Sequence, residues 1–322
     1  MKKRVFHYTI ILVVVIIINF FIPRLLPGTP LKSIVGENPG DLTAAEKMGI
    51  LEAYHLNEPM YKQFGYYLKE LFTLNWGNSY AKRQPISELI RSRLGWTLLL
   101  AGCSTLLSTI IGTCLGAVSA LRRKKRKDVP VVLATTVVSS IPSFWIAIIL
   151  LAVFGVKLRW FPIYGAYDMW ESYTGLARAA DILKHLALPL FTLVISSLMA
   201  FFSTSRYSTL RVMEEDYVKM ARLRGITGSR VTFCYVFRNA LIPVFTLFMM
   251  DVGYMLGGSV LVETVFSYPG LGTLMKEAVM ARDYPLMQYT FLMSSVVTIA
   301  ALFLSDILYH RIDPRVEVNG NE

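Results

Sequence analysis

Six long apolar runs constrain the fold of this chain more than any other feature. A helix needs about 20 residues to cross the hydrocarbon core of a bilayer, and the mean hydropathy of +0.48 is too high for a soluble domain of 322 residues. The sequence therefore predicts an all-α polytopic membrane protein with six transmembrane helices, at Val5–Ile22, Thr97–Leu121, Pro130–Val156, Leu186–Phe202, Leu241–Val262 and Tyr289–Leu308.

The first apolar run also has to be compared with a secretory signal peptide, because Lys2, Lys3 and Arg4 precede it. The run is longer than the apolar region of a signal peptide, and the segment Pro23–Gly28 follows it in place of a small-residue cleavage site. We therefore expect the first helix to be retained in the membrane.

The distribution of Lys and Arg predicts the orientation. Cytoplasmic loops of membrane proteins carry an excess of these residues, and the densest basic segment is Arg122–Lys127. This places both termini in the cytoplasm of a cell-membrane protein. The net charge of +11 then reflects this bias and a basic surface facing the lipid bilayer, and it requires no nucleic-acid partner.

The same topology divides the chain into four segments. The predicted order is an N-terminal transmembrane helix (1–26), an external insert (27–95), a five-helix permease core (96–310) containing a cytoplasmic loop (203–239), and a cytoplasmic tail (311–322). Within the external insert, a capping pair of Thr43 and Glu46 predicts a helix over Leu42–Tyr54, and Met60–Phe72 is amphipathic.

The cytoplasmic loop has the pattern of a helical hairpin. Apolar residues spaced three and four apart continue from the preceding span through Tyr217, Met220 and Ala221. We expect Gly225 to end this helix and Gly228-Ser229 to cap a second one. Such a hairpin presents an apolar face outside the bilayer, which indicates docking onto another protein.

Several motifs of this loop resemble the signature loop of membrane subunits in the dipeptide/oligopeptide/nickel ABC importer family. They are Asp216-Tyr217, Ala221-Arg222, Arg224-Gly225 and the segment 238–243. Further landmarks of that family occur in order along almost the whole chain, among them Leu26-Pro27-Gly28, Trp76-Gly77-Asn78-Ser79, Ile141-Pro142-Ser143-Phe144 and Arg282-Asp283-Tyr284-Pro285. The chain departs from the general importer loop at Lys219-Met220-Ala221, where Glu-Ala-Ala is usual.

The resemblance implies a type I ABC importer permease. It implies partnership with a second homologous permease subunit, two cytosolic ATP-binding subunits and an extracellular substrate-binding protein. It also implies that the ATPases are contacted by six loop residues, Asp216, Tyr217, Met220, Ala221, Arg224 and Gly225.

Other classes of membrane protein fit the sequence less well. The chain contains no phosphate-binding loop of the form Gly-x-x-x-x-Gly-Lys-Ser/Thr, so ATP hydrolysis is expected on partner subunits. Its four His residues (7, 55, 185 and 310) form no pair at i,i+4, so no catalytic residues, metal site or cofactor are predicted. An ion-coupled secondary transporter is a lesser alternative, because that mechanism requires several buried titratable groups.

Asp251 is the titratable residue that lies deepest in a predicted span. It follows Leu241 by about 10 residues, or roughly 15 Å of helix. One interpretation is structural, with the carboxyl group protonated or paired with a polar residue of a neighbouring span. The other places Asp251 on the translocation path, where Gly253, Gly257 and Gly258 would keep the wall open.

The cargo predicted from the resemblance is peptide, with nickel or another metal chelate as the alternative. Met249, Met250 and Met255 lie near Asp251, but methionine in a span fills the core far more often than it binds metal.

Overall fold

The computed structural model describes residues 2–25, 31, 34, 43–53, 55–123 and 129–312. Within these ranges the regular structure is helical, and the only strand-like pairing is an isolated bridge between Asn78 and Pro85. The predicted all-α fold is confirmed. The predicted tail beyond residue 312, the Leu26-Pro27-Gly28 motif and most of the basic loop Arg122–Lys127 lie outside the described residues.

The helices follow one another along the chain in this order: α1 Lys2–Leu25, α2 Ala44–Ala53, α3 Met60–Phe72, α4 Ile86–Arg122, α5 Val129–Ser139, α6 Ser143–Leu150, α7 Gly175–Met213, α8 Asp216–Leu223, α9 Gly228–Arg230, α10 Arg238–Gly258, α11 Val260–Val265, α12 Leu271–Ala281 and α13 Tyr284–Ile312. Two π-helical segments, Leu151–Lys157 and Val231–Phe237, continue α6 and connect α9 to α10.

Five helical segments in the described ranges are long and apolar enough to cross a membrane, and a bent pair makes a sixth. The bent pair corrects the sequence prediction, which treated Pro130–Val156 as one straight span. The chain there turns by 96° between Val129–Ser139 and Ser143–Lys157. Pro142 accounts for the break, because its backbone is extended (φ −56°, ψ 141°) and it has no N–H to continue the helix.

The chain divides into two compact units. Unit 1 comprises Met1–Thr97 with Pro269–Ile299, and unit 2 comprises Leu98–Tyr268 with Ala300–Glu322. In unit 1, the core is built around Phe20 of α1, Tyr67 of α3 and Ile86 at the start of α4, together with Leu274 of α12 and Tyr289 of α13.

Two predicted features of the insert are confirmed. Helix α3 has the predicted bounds, and α2 begins with the predicted capping box: the Thr43 N–H donates to Glu46 Oε2 (2.8 Å), and the Glu46 N–H donates to Thr43 Oγ1 (3.3 Å). The bond from the Thr43 N–H and a second one from Thr43 Oγ1 to Glu46 Oε2 (2.8 Å) lower the pKa of the Glu46 carboxyl, the backbone bond having the larger effect.

A buried carboxylate holds the turn before α4 against the start of α13. Asp283 is completely buried, and its Oδ1 accepts from the Leu286 N–H (3.2 Å), which caps α13. Its Oδ2 accepts from Ser79 Oγ (2.5 Å) and from the Ala81 N–H (3.0 Å). We call Asp283 together with residues 77–86 the Asp283 clasp. The clasp joins segments of unit 1 that are about 200 residues apart in sequence.

In unit 2, α4 and α7 approach each other at two glycines. A Cβ at Gly112 would lie 2.7 Å from Phe201 Cβ, and one at Gly116 would meet the Phe202 carbonyl oxygen. Ser205 Oγ donates to the Thr113 carbonyl (2.9 Å) beside them. Gly112 and Gly116 form a Gly-x-x-x-Gly pattern typical of close helix contacts in membranes, so this approach has a local signal in the sequence.

Candidate functional site

The predicted hairpin is present in unit 2, but its first helix does not continue the preceding span. Helix α7 ends at Met213, and the N–H groups of Glu214 and Glu215 close the turn on Arg211 and Val212 carbonyls (3.1 and 3.2 Å). Glu215 is extended (φ −69°, ψ 145°), and α8 starts anew at Asp216. The prediction of one continuous helix was wrong, and no Gly or Pro marks this break.

Packing between the two limbs explains the change of direction. Val218 and Ala221 of the first limb and Val231 and Val236 of the second form a buried apolar cluster. Helix stability in proteins comes mainly from burial of an apolar face, so this contact outweighs the hydrogen bonds that a straight helix would keep. We call residues 214–239 the coupling hairpin, after the role that the family resemblance implies for this loop.

Gly225 forms the tip of the coupling hairpin in the conformation that the sequence predicts. Its φ of +73° is in the left-handed region, which disfavours side chains other than hydrogen. The Ile226 N–H donates to the Ala221 carbonyl (3.3 Å) and the Gly225 N–H to the Arg222 carbonyl (3.0 Å). This pair of bonds is a Schellman motif, which satisfies carbonyls at the end of α8.

The second limb begins differently from the prediction. Thr227 is the N-terminal capping residue of α9, and no side chain donates or accepts a capping hydrogen bond there, so the expected cap by Gly228-Ser229 was wrong. The backbone then continues through the π-helical segment Val231–Phe237 directly into α10. Tyr217 Oη connects the limbs, since it accepts from Asn239 Nδ2 (2.8 Å).

The coupling hairpin leaves large apolar side chains exposed. The exposed fraction is 41% for Tyr217, 51% for Met220 and 82% for Leu223, all on α8. We call these three residues the exposed α8 face. Asp216 and Arg224 are exposed at the two ends of α8, and Asp216 forms a surface ion pair with Lys219 (2.9 Å).

Ala221 is placed differently from its neighbours. Only 4% of its surface is exposed, and it belongs to the buried cluster between the limbs. The family resemblance implies that Ala221 contacts an ATPase, whereas the structure supplies a reason for its small size inside the hairpin. A contact between Ala221 and a partner stays a prediction.

Asp251 lies on α10 and is only partly exposed. Thr105 Oγ1 of α4 donates to Asp251 Oδ2 (2.9 Å), which is the pairing with a neighbouring span that the structural interpretation requires. A carboxylate that is partly removed from water is stabilised by such a hydrogen bond. A role of Asp251 in the translocation path stays a prediction.

The three glycines predicted beside Asp251 also lie on α10. Gly253 is buried, and a Cβ there would lie 2.8 Å from Leu302 Cδ2, so its surface packs closely against α13. Gly257 and Gly258 are the last two residues of α10. Among the described residues, no group of three His, Cys, Asp or Glu side chains is arranged to hold a metal ion.

Apolar helices for five or six spans and a helical hairpin with an uncovered apolar face define a multi-pass membrane protein. Residues 112–318 match the family described as "Binding-protein-dependent transport system inner membrane component". The chain belongs to this family of transport permeases, which are not themselves enzymes.

Curated relatives match nearly the full length of the chain. The oligopeptide transport system permease protein AppB of Bacillus subtilis is 34% identical over 95% of each chain. The di/tripeptide transport system permease protein DppB of Pseudomonas aeruginosa is 33% identical over 94% of each chain. The glutathione transport system permease protein GsiC of Salmonella typhi is 33% identical over 98% of this chain and 97% of its own.

Proposed function

We propose that this chain is the permease subunit of an ATP-driven peptide importer. It forms the translocation path with a second homologous permease, receives peptide from an extracellular binding protein and is driven by two cytosolic ATPases. Both termini and the coupling hairpin lie on the cytoplasmic side. The observation that carries this proposal is the exposed α8 face on a hairpin whose interior is already packed.

The coupling hairpin suits docking because its fold does not need the exposed α8 face. The buried cluster holds the limbs together, while Tyr217, Met220 and Leu223 remain uncovered. Exposed apolar side chains clustered on one element mark interaction sites. A cytosolic ATPase that covers Leu223 would remove its apolar surface from water without rearranging the hairpin.

The hairpin is also connected so that a displacement reaches the spans. Its first limb follows α7 after a two-residue turn, and its second limb continues into α10. Helices α7 and α10 contact each other, and Ser208 Oγ donates to the Ala240 carbonyl (2.9 Å) at that contact. In the proposed cycle, ATP-driven closure of the two ATPases moves the hairpins of the two permeases and opens the path toward the binding protein.

Peptide is the proposed cargo because the matched relatives carry peptide, di/tripeptide and glutathione permease names. Asp251 would contribute to the path a carboxylate that attracts the amino terminus of a peptide. Its hydrogen bond from Thr105 fixes the carboxylate on one side of α10. No comparable observation favours a nickel chelate.

The docking proposal is tested by Leu223→Asp in the assembled transporter. A charge at a covered apolar contact is expected to cost about 2 kcal/mol or more of docking free energy, which corresponds to roughly a 30-fold loss of ATPase affinity. The measurement is copurification of the ATPases with the tagged permease, together with peptide uptake in proteoliposomes.

Met169→Asp is the matched control, because Met169 is 73% exposed and lies outside the coupling hairpin. It should retain both ATPases. The isolated wild-type permease should hydrolyse no ATP. Full ATPase retention and uptake by Leu223→Asp would refute the proposed contact. ATP hydrolysis by the isolated chain would refute the proposal that partner subunits hydrolyse the ATP.

A further inference from the structure

A polar cavity of about 480 Å³ lies within unit 1, well away in sequence from the coupling hairpin. Its walls come from the end of α1, from α3, from the Asp283 clasp and from the start of α13. The side chains that carry the argument are Arg24, Gln63, Tyr67, Glu70, Trp76 and Gln288. Cavities of roughly 300–1,000 Å³ are the usual size of small-molecule sites.

Three buried polar atoms on the cavity wall have no hydrogen-bond partner among the described residues. They are Tyr67 Oη, Trp76 Nε1 and Gln288 Nε2. Tyr67 is 3% exposed and Gln288 is 5% exposed. A buried polar group without a partner is costly and requires an explanation. An indole N–H and an amide NH₂ can only donate, so these atoms suit a ligand rich in hydrogen-bond acceptors.

Arg24 supplies a fixed positive charge to the same cavity. Its Nε and Nη2 both donate to Gln63 Oε1 (3.1 Å each), and Nη1 donates to the Phe20 carbonyl (2.8 Å). The guanidinium also lies 3.7 Å from the centre of the Phe20 ring. No carboxylate of the described residues forms an ion pair with it. Three of its five N–H groups are used, so two remain for a carboxylate.

The amide of Gln63 is fixed in turn, which pre-orients Arg24. Gln63 Nε2 donates to the Glu58 carbonyl (2.9 Å) and to the Leu56 carbonyl (3.3 Å). The Gln63 amide nitrogen is held by these two carbonyl groups, so the amide oxygen is directed toward the Arg24 guanidinium. A charged group held in this way loses little conformational entropy when it binds a ligand.

Glu70 supplies the opposite charge. Its Oε2 accepts from Tyr289 Oη (3.2 Å), and partial burial raises the pKa of its carboxyl. A partly buried carboxylate is stabilised by a nearby positive charge. His55, which also lines the cavity, lowers the pKa of Glu70 by less than burial raises it, and Arg24 forms no ion pair with Glu70. The cavity thus presents separate positive and negative groups to one space.

We propose that this cavity binds a small zwitterion, an amino acid or a short peptide, with its carboxylate on Arg24 and its ammonium group on Glu70. The unpartnered donors of Trp76 and Gln288 would bind the remaining oxygen atoms of the ligand. Arg24, Glu70 and Trp76 lie outside the matched region 112–318, and no residue of the coupling hairpin and no residue of α10 lines the cavity. The proposal assigns a ligand to residues that the proposed transport function does not use.

The test measures binding of the dipeptide Ala-Ala to the full-length permease in lipid nanodiscs by equilibrium dialysis. Two blocked probes, N-acetyl-Ala-Ala and Ala-Ala-amide, lack the ammonium and the carboxylate respectively. We expect each blocked probe to bind at least tenfold more weakly than Ala-Ala. Because no ATPase is present, the result does not depend on the coupling proposal.

Two substitutions test which residue binds the ammonium group of the ligand and which binds its carboxylate. Glu70→Gln keeps an acceptor for Tyr289 and should make Ala-Ala and N-acetyl-Ala-Ala bind equally. Arg24→Gln should make Ala-Ala and Ala-Ala-amide bind equally. The matched controls are Glu88→Gln and Arg91→Gln, which are exposed residues of α4 outside the cavity and should bind like the wild type.

The Glu70→Gln variant, together with the comparison of probes on the wild-type protein, keeps the test decisive if Arg24→Gln fails to fold, because it distinguishes the cavity from Asp251. Equal binding of all three probes would overturn the proposal, as would the absence of saturable Ala-Ala binding at millimolar concentrations. Unchanged selectivity in Glu70→Gln would also overturn it, because the ammonium group would then bind elsewhere.

Discussion

The Asp283 clasp of unit 1 and the coupling hairpin of unit 2 are both short segments that turn sharply, yet different forces hold them. In the clasp, one buried carboxylate accepts hydrogen bonds from Ser79, Ala81 and Leu286. In the hairpin, four small apolar side chains and a Schellman turn share the task. The stability of the clasp therefore depends on one residue, whereas the stability of the hairpin depends on several small contacts.

This difference predicts how the two regions respond to change. Hydrogen bonds to a buried charge are individually strong, and loss of the acceptor leaves buried donors unpaired. Small apolar contacts contribute less each and can be lost one at a time. Distributed contacts suit the docking proposed for the hairpin, and a rigid clasp suits the ligand binding proposed for the cavity.

The largest effect is expected for Asp283→Ala. Three hydrogen bonds to a buried carboxylate disappear, which should cost about 3 kcal/mol or more of local stability. Hydrogen exchange should show much faster exchange of the Ala81 and Leu286 amides. Glu277→Ala is the control, because its ion pair with Lys82 (2.7 Å) is partly exposed and should be worth less than about 1 kcal/mol. Unchanged exchange in Asp283→Ala would show that the carboxylate does not hold the clasp.

A smaller effect is expected for Gly225→Ala in the hairpin. No atom lies within 4 Å of a Cβ at this position, so the cost is the left-handed backbone alone, about 1 kcal/mol. Gly225→Asn should recover part of this loss, because asparagine tolerates the conformation. Gly228→Ala is the control, with open space and no positive φ. Exchange of the Ile226 amide reports the result, and a loss as large as that of Asp283→Ala would contradict distributed stability.

The smallest effect is expected for Tyr217→Phe. The hydroxyl accepts from Asn239 Nδ2, which keeps a second acceptor in the Tyr235 carbonyl (3.0 Å). Because these groups are exposed to water, we expect a loss of about 0.5 kcal/mol. Tyr207→Phe, at an exposed tyrosine of α7, is the control. If Tyr217→Phe melts the hairpin, the hydrogen bond and not the apolar cluster holds the limbs together.

The parts of this structure that the sequence predicts are those with a local physical signal. Apolar runs locate the spans, Thr43 and Glu46 locate the start of α2, and Gly225 marks the hairpin tip. Two further features have a local signal that is absent from the predictions above. Pro142 indicates the 96° bend, and Gly112 with Gly116 indicates the close approach of α4 to α7.

Other features have no local signal. The helix breaks at Glu214-Glu215 because the two limbs of the hairpin pack against each other. The local sequence pattern alone predicts a continuous helix there. The partners of Asp283 and the cavity between α1, α3 and α13 depend on segments that are distant in the chain. Sequence spacing alone cannot show that Arg24 and Gln288 line one cavity, so the sequence gives no indication of the proposed zwitterion site.

The unbroken second limb has a mechanical consequence. Gly228–Tyr254 forms one helical segment of 27 residues, so at about 1.5 Å per residue it is a lever roughly 40 Å long. Pro243 lies partway along it and lacks the N–H that would bond to the preceding turn, so the helix has one backbone hydrogen bond fewer there. A tilt of about 10° about one end would sweep the other end through roughly 7 Å, given that length. In the proposed transport cycle, a displacement of this size at the hairpin would be passed along the helix into α10.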